Sequence, residues 1–118
     1  MAKHNDIGKQ GETLAKEHLI QNGYTILATN YRYLKAEIDI IAQKNDILAI
    51  VEVKTRTSEE YGAPESFVNK KKINLILTAA NAYITENDLD LDVSLDIISV
   101  IIGKETEVDH LPNAYYFF

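Results

Sequence analysis

Apolar and polar positions recur with two different periods along the chain, and the switches between them mark its elements. In "NDIGKQGETLAKEHLIQNG", residues 5–23, Ile7, Gly11, Leu14, Ala15, His18 and Leu19 repeat at helical spacing. Asn5 or Asp6 is suited to cap this helix and Gly23 to end it. Gly8 and Gly11 each cost about 1 kcal/mol relative to alanine inside a helix. Either the backbone comes close to a neighbour there or the first turn is frayed. "YTILATNYRY" (24–33), "KAEIDIIAQ" (35–43) and "ILAIVEVKTR" (47–56) read as three strands, the last two joined through "KND" as a hairpin. A second helix, starting near Pro64 or Val68 and ending near Glu86, carries Ile73, Ile76, Leu77, Ala80 and Ile84 on one stripe. "VSLDIISVIIG" (93–103) is a fourth, well-buried strand. "VDHLPNAYYFF" (108–118) can add a fifth at an edge, where Pro112 limits its pairing. The order α-β-β-β-α-β permits a right-handed parallel crossover between strands three and four, which predicts one α/β domain over residues 1–118 with a mixed sheet.

Four charged residues, Glu37, Asp39, Glu52 and Lys54, interrupt the apolar runs of the second and third strands. Ionised groups in a half-buried strand are costly unless paired, hydrogen-bonded or bound to a metal. Alternation puts Glu37, Asp39 and Ile41 on one face, and Leu48, Ile50, Glu52 and Lys54 on another. A hairpin closing around residues 44–47 sets Asp39 opposite Glu52 and Glu37 opposite Lys54, within about 5–8 Å. Two carboxylates that close repel, and a hard divalent cation is one remedy. Magnesium accepts one or two carboxylates and fills its remaining positions with water and substrate phosphate oxygens. The main-chain carbonyl of Val53 offers a further ligand, and Lys54 is suited to orient or deprotonate a water, or to stabilise a charged phosphorus centre. The bland alternative is a salt-bridged surface, Glu37 with Lys54 and Asp39 solvated, which contributes less than about 1 kcal/mol.

Composition narrows the chemistry. The chain has 118 residues, 46% of them hydrophobic, and no cysteine, so disulfides, thiolate metal sites and a Cys nucleophile are excluded. His4, His18 and His110 have no ligand-like spacing. No apolar run approaches a membrane span, and the first residues lack the apolar core of a signal peptide; a cytoplasmic protein is the expectation. The net charge of −6 argues against a protein that coats nucleic acid. Residues 31–72, however, hold eight Lys/Arg against seven Asp/Glu, whereas the remainder holds four against eleven. A polyanion would approach that middle segment. Arg56 is a phosphate contact or a solvated strand end. Lys70, Lys71 and Lys72 near the start of the second helix oppose its dipole unless the helix begins earlier, which makes an anion-binding purpose attractive. Arg32 and Lys35 add a positive rim or are solvated loop residues.

Several short motifs in order then carry a resemblance over nearly the whole chain: "GETLAKEHLIQNGY", Asn30, "EIDIIA", "VEVKTR", "YGAPESFVNKKK", "AANAYI", "LDIISV" and the closing "NAYYFF". The chain resembles the YraN family of small bacterial proteins, and through it the restriction-endonuclease-like (PD-(D/E)xK) superfamily and the archaeal Holliday-junction resolvases. It departs from the family at Ala36, usually Gly, and at Ser94–Asp96, "SLD" in place of "RFD". The resemblance implies a three-layer core, a mixed sheet flanked by helices. It also implies Mg²⁺- or Mn²⁺-dependent endonucleolytic hydrolysis of DNA phosphodiesters, including those of branched structures. Asp39, Glu52 and Lys54 fall on the superfamily signature, Asp39 and Glu52 being metal ligands; Glu12 falls on the helix glutamate that some members add. Lys72 falls on the family's typical lysine, with Lys70, Arg56 and Arg32 as further nucleic-acid contacts. A homodimer would suit a symmetric junction. The alternative is a non-catalytic module on the same fold that binds nucleic acid or a partner.

Overall fold

A computed structural model of the chain describes residues 3–57 and 70–114. Its elements are α1 (Lys3–Gln21), β1 (Thr25–Tyr33), β2 (Ala36–Lys44), β3 (Ile47–Thr57), α2 (Lys70–Glu86), β4 (Asp92–Ile102) and β5 (Glu107–Leu111). The five strands lie side by side in chain order. All neighbours are antiparallel except β3 and β4, which run parallel and are linked through α2. The fifth strand occupies an edge and stops before Pro112. A mixed α/β sheet in the expected order is therefore what the chain forms.

Alternation along the strands divides the core between two faces. Ile41, Leu48, Ile50 and Ile97 meet Ile76, Ala79 and Ala80 of α2, whereas Ile40, Ala42, Ala49, Val51, Ile98 and Val100 meet Ala15 and Leu19 of α1. Leu19, Ile40, Ile41, Leu48, Ile97 and Ile98 are fully buried. Each such side chain contributes about 1.5–3 kcal/mol relative to exposure. β3 is thus apolar on both faces because helices cover both. Leu77, expected on the α2 stripe, is instead 38% exposed, and Leu75 packs against the core.

Both helices end by the same device. Tyr24 N–H donates to the Leu19 carbonyl and Gly23 N–H to that of Ile20, with Gly23 at φ +92°. Leu89 and Asp88 repeat the pattern against Ile84 and Thr85, with Asp88 at φ 52°. This double bond satisfies carbonyls that the last turn would leave unpaired. The other end of α1 departs from expectation: the helix already includes Lys3, so Asn5 and Asp6 lie inside it. The expected starts of α2 at Pro64 or Val68, together with the terminal "YYFF" of the expected edge strand, lie outside the described residues.

Among the described residues, Gly11 is the glycine that packing requires. A Cβ there would stand 1.9 Å from Thr55 Oγ1 and 2.8 Å from Thr55 Cβ, so α1 rests directly on β3. Gly8 has open space around it, and nothing in the structure explains it. Gly11→Ala should gain about 1 kcal/mol in helix propensity yet lose about 1–3 kcal/mol to overpacking. A net loss in urea melts is expected, with part of it recovered in Gly11→Ala/Thr55→Ala. A stabilised single variant would contradict the close contact.

Two further features frame the sheet's ends. Tyr33 and Ala36 pair across a turn of Leu34 and Lys35, and Leu34 takes φ 56°. A left-handed conformation costs a leucine roughly 1–2 kcal/mol. At the opposite edge Asp96, 1% exposed, accepts hydrogen bonds from Ser94 Oγ and from Asn113 N–H (3.0 Å), and lies 2.7 Å from His110 Nε2. Ser94 and Asp96 face the α1 side, as Ile98 and Val100 do, so "SLD" fastens β5 and the chain beyond it to β4.

Candidate active site

The β2–β3 ladder runs from Lys44 opposite Ile47 to Ile40 opposite Val51 and stops there. Meanwhile β2 stays paired with β1 to Ala36, and β3 with β4 to Thr57. The two central strands therefore part where their charged residues begin. The register is the one hairpin parity predicts, with Asp39 and Glu52 the next positions beyond the last pair. Beyond the ladder, Val53 N–H donates to Asp39 Oδ2 at 2.8 Å. β2 also changes course here, since Ile38 packs with Ile41 on the α2 side although alternation alone would separate them.

Into this split the other charged groups converge. Lys54 Nζ lies 3.1 Å from Glu52 Oε2, and Lys72 Nζ, reaching across from the start of α2, contacts the same oxygen. A cleft of about 280 Å³ opens between β2 and α2, lined by Lys35, Glu37, Asp39 and Glu52 from the sheet side and by Lys72, Leu75 and Ile76 from α2.

The two carboxyls sit in opposite electrostatic environments. Burial is the largest influence on Asp39 and raises its pKa; the Val53 N–H lowers it, but Glu52, Glu12 and Glu37 push it up again, to about 6. Burial also works against the Glu52 carboxylate, but there the Lys72 ammonium, hydrogen-bonded and ion-paired, and then Lys54, overcome it and hold the pKa below the ordinary value. Carboxyls whose environments drive their pKa values apart are characteristic of sites that handle protons.

Asp39, Glu52, Lys54 and Val53 are thus brought together. Glu12 comes close enough to raise the Asp39 pKa. Among the described residues no three His, Asp or Glu side chains form a ready-made ligand cluster. Magnesium needs only one or two carboxylates, so the all-oxygen set of Asp39, Glu52 and the Val53 carbonyl fits a hard cation. The excess negative charge felt by Asp39 is what such an ion would relieve. Arg56 continues the face of Glu52 and Lys54, and its Nε is buried without a hydrogen-bond partner among the described residues. Lys70 is exposed at the start of α2. Arg32 stands at the β1–β2 tip, 3.7 Å from Glu37 and largely exposed. Sequence reading missed the contact of Lys72 with Glu52 and the place of Lys35 on the cleft. Helix phase puts Lys72 beside the apolar stripe, but only packing decides that it reaches a strand carboxylate.

No helix among the described residues is long and apolar enough to cross a membrane. Over residues 11–100 the chain matches the uncharacterised protein family UPF0102. It is 53% identical over 119 residues to the UPF0102 protein FP2501 of Flavobacterium psychrophilum and 46% identical over 119 residues to a UPF0102 protein of Christiangramia forsetii, all of both chains being covered in each case. A UPF0102 protein of Parabacteroides distasonis is 44% identical, with 98% of this chain and 97% of the relative covered. With the family matched over residues 11–100 and relatives aligned over the full length, the chain belongs to the UPF0102 family.

Proposed function

We propose that the protein is a divalent-metal-dependent endonuclease of the restriction-endonuclease-like superfamily that hydrolyses DNA phosphodiesters, branched structures included. One observation carries this reading: at the point where β2 and β3 part, Asp39, its pKa raised first by burial and then by Glu52, Glu12 and Glu37, stands beside Glu52, whose carboxylate is ion-paired with Lys54 and Lys72. Asp39 and Glu52 with the Val53 carbonyl would hold Mg²⁺ or Mn²⁺, and Glu12 would support the charge. A cation bound there would supply Lewis-acid stabilisation to the phosphate and a lowered pKa to the attacking water. Lys54 orients that water or takes its proton, while Lys72, Arg56, Lys70 and Arg32 neutralise flanking phosphates. Two copies acting on the two strands of a symmetric junction would suit a homodimer.

Isothermal titration with Mn²⁺ and cleavage of four-way junction, flap, single-stranded and linear duplex DNA test the reading together. Glu52→Ala should abolish both Mn²⁺ binding and cleavage. Cleavage that survives Glu52→Ala would sink the assignment. A second reading is favoured by the pairing of Glu52 with two lysines, which already neutralises one carboxylate: a module that binds nucleic acid or a partner without turnover. Mn²⁺ binding with no cleavage of any of the four substrates would select it.

The raised Asp39 pKa adds a pH signature. Below about pH 6 the cation must displace a proton from Asp39, so Mn²⁺ affinity should fall by up to about tenfold per pH unit. Above it, affinity should level off. A flat affinity between pH 5 and 8 would remove Asp39 from the ligand set.

A further inference from the structure

We propose that Leu34 is an apolar wedge that enters the base stack of branched or kinked DNA within a few base steps of the phosphodiester held at Asp39 and Glu52; this rests on the nuclease reading above. Two-residue hairpin turns favour Gly, Asn or Asp, because a central residue must take positive φ. This turn uses leucine, at φ 56°. The residue is 83% exposed, well beyond the next large hydrophobic among the described residues, Ile20, at 58%. Neither the turn nor the core accounts for it. Strain and apolar exposure at the same residue point outward, to something the tip meets.

The surroundings say what that is. Lys35, also exposed, follows Leu34 directly and lines the same cleft as Asp39 and Glu52. Arg32, two residues before Leu34, has a side chain 77% exposed and only a loose 3.7 Å pairing with Glu37. An exposed pair of this kind exchanges readily for a phosphate. Cations thus bracket an apolar tip, the arrangement that inserts a side chain between base steps while its neighbours hold the backbone. The tip is rigid with respect to the site, because β1 and β2 pair from Tyr33–Ala36 back to Thr25–Gln43. Five residue steps, two through the turn and three along β2, separate Leu34 from Asp39, a span of at most about 17 Å, or up to about five base steps. A branch point or kink already has weakened stacking at its central step, which lowers the cost of insertion. The cationic flanks and the adjoining carboxylate site favour DNA over an apolar protein partner.

The test uses DNA carrying 2-aminopurine beside the branch of a four-way junction, and the same label in linear duplex, with Ca²⁺ in place of Mg²⁺. Wild-type protein should raise the fluorescence of the junction label and leave the duplex label unchanged. Leu34→Asn should lose that rise and bind the junction about tenfold more weakly, with duplex affinity and Mn²⁺ binding as in wild type. Leu34→Met should restore the rise. Relief of the positive φ should leave Leu34→Asn at least as stable as wild type, with Tm higher by about 3–8 °C, so misfolding cannot explain a loss. No rise with wild-type protein, or an undiminished rise with Leu34→Asn, would overturn the wedge. Failure of the nuclease reading shows separately, as cleavage in Mg²⁺ that is absent or indifferent to Glu52→Ala.

Discussion

Lys54→Ala is expected to slow single-turnover DNA cleavage by about 10²–10⁴-fold, the usual worth of a positioned proton-transfer group. Mn²⁺ binding should persist, because Glu52 keeps Lys72 and the loss of one neighbouring cation, 3.1 Å away, weakens its competition with a metal. Stability should change little, since Lys54 is partly exposed. Lys54→Arg separates two roles. If Lys54 acts by charge alone, arginine recovers most of the rate; if it takes a proton, arginine leaves the enzyme nearly as slow as alanine, because a guanidinium does not deprotonate. A rate within about threefold of wild type in Lys54→Ala would reduce Lys54 to a structural partner of Glu52.

Asp39→Asn should make the metal-free protein more stable at neutral pH. Between pH 3.8 and about 6 the native chain retains a proton that the unfolded chain has lost, so the contribution of Asp39 falls as pH rises across that window. Above it the ionised carboxyl withdraws about 3 kcal/mol. Asparagine can still accept from Val53 N–H and carries no charge to repel Glu52, Glu12 and Glu37. A gain of about 2–3 kcal/mol at pH 7.5, shrinking towards zero at pH 4, is the expected result of urea melts. Saturating Mn²⁺ should invert the order, stabilising wild type and leaving Asp39→Asn unaffected. Equal stability of the two proteins at pH 7.5 would show that Asp39 is not strained by its neighbours.

Much of this was legible before any coordinates. Apolar runs bounded by turn signals located the strands, and hairpin parity alone set Asp39 across from Glu52, because a two-residue periodicity leaves little freedom once the turn is known. Where the ladder ends was not legible. Nothing local distinguishes Ile40, the last paired residue, from Asp39, which turns its carboxyl to the Val53 N–H. The reach of Lys72 to Glu52 depends on how α2 packs across the sheet, a long-range matter. Leu34 escaped notice because leucine is a poor signal for a turn; only the pairing of Tyr33 with Ala36 reveals the demand made of it.

The seat of Gly11 on Thr55 also acts as a locating pin. Glu12 follows Gly11, and Lys54 precedes Thr55, so one contact sets a helix carboxylate and a strand ammonium in fixed relation. Sliding α1 by one turn towards its N-terminus would carry Glu12 about 5.4 Å along the sheet and bring Leu14 or Ala15 where only glycine fits. Changes in the outward face of α1 can therefore drift freely, whereas this helix cannot shift register without dismantling the alignment of charges on which the site depends.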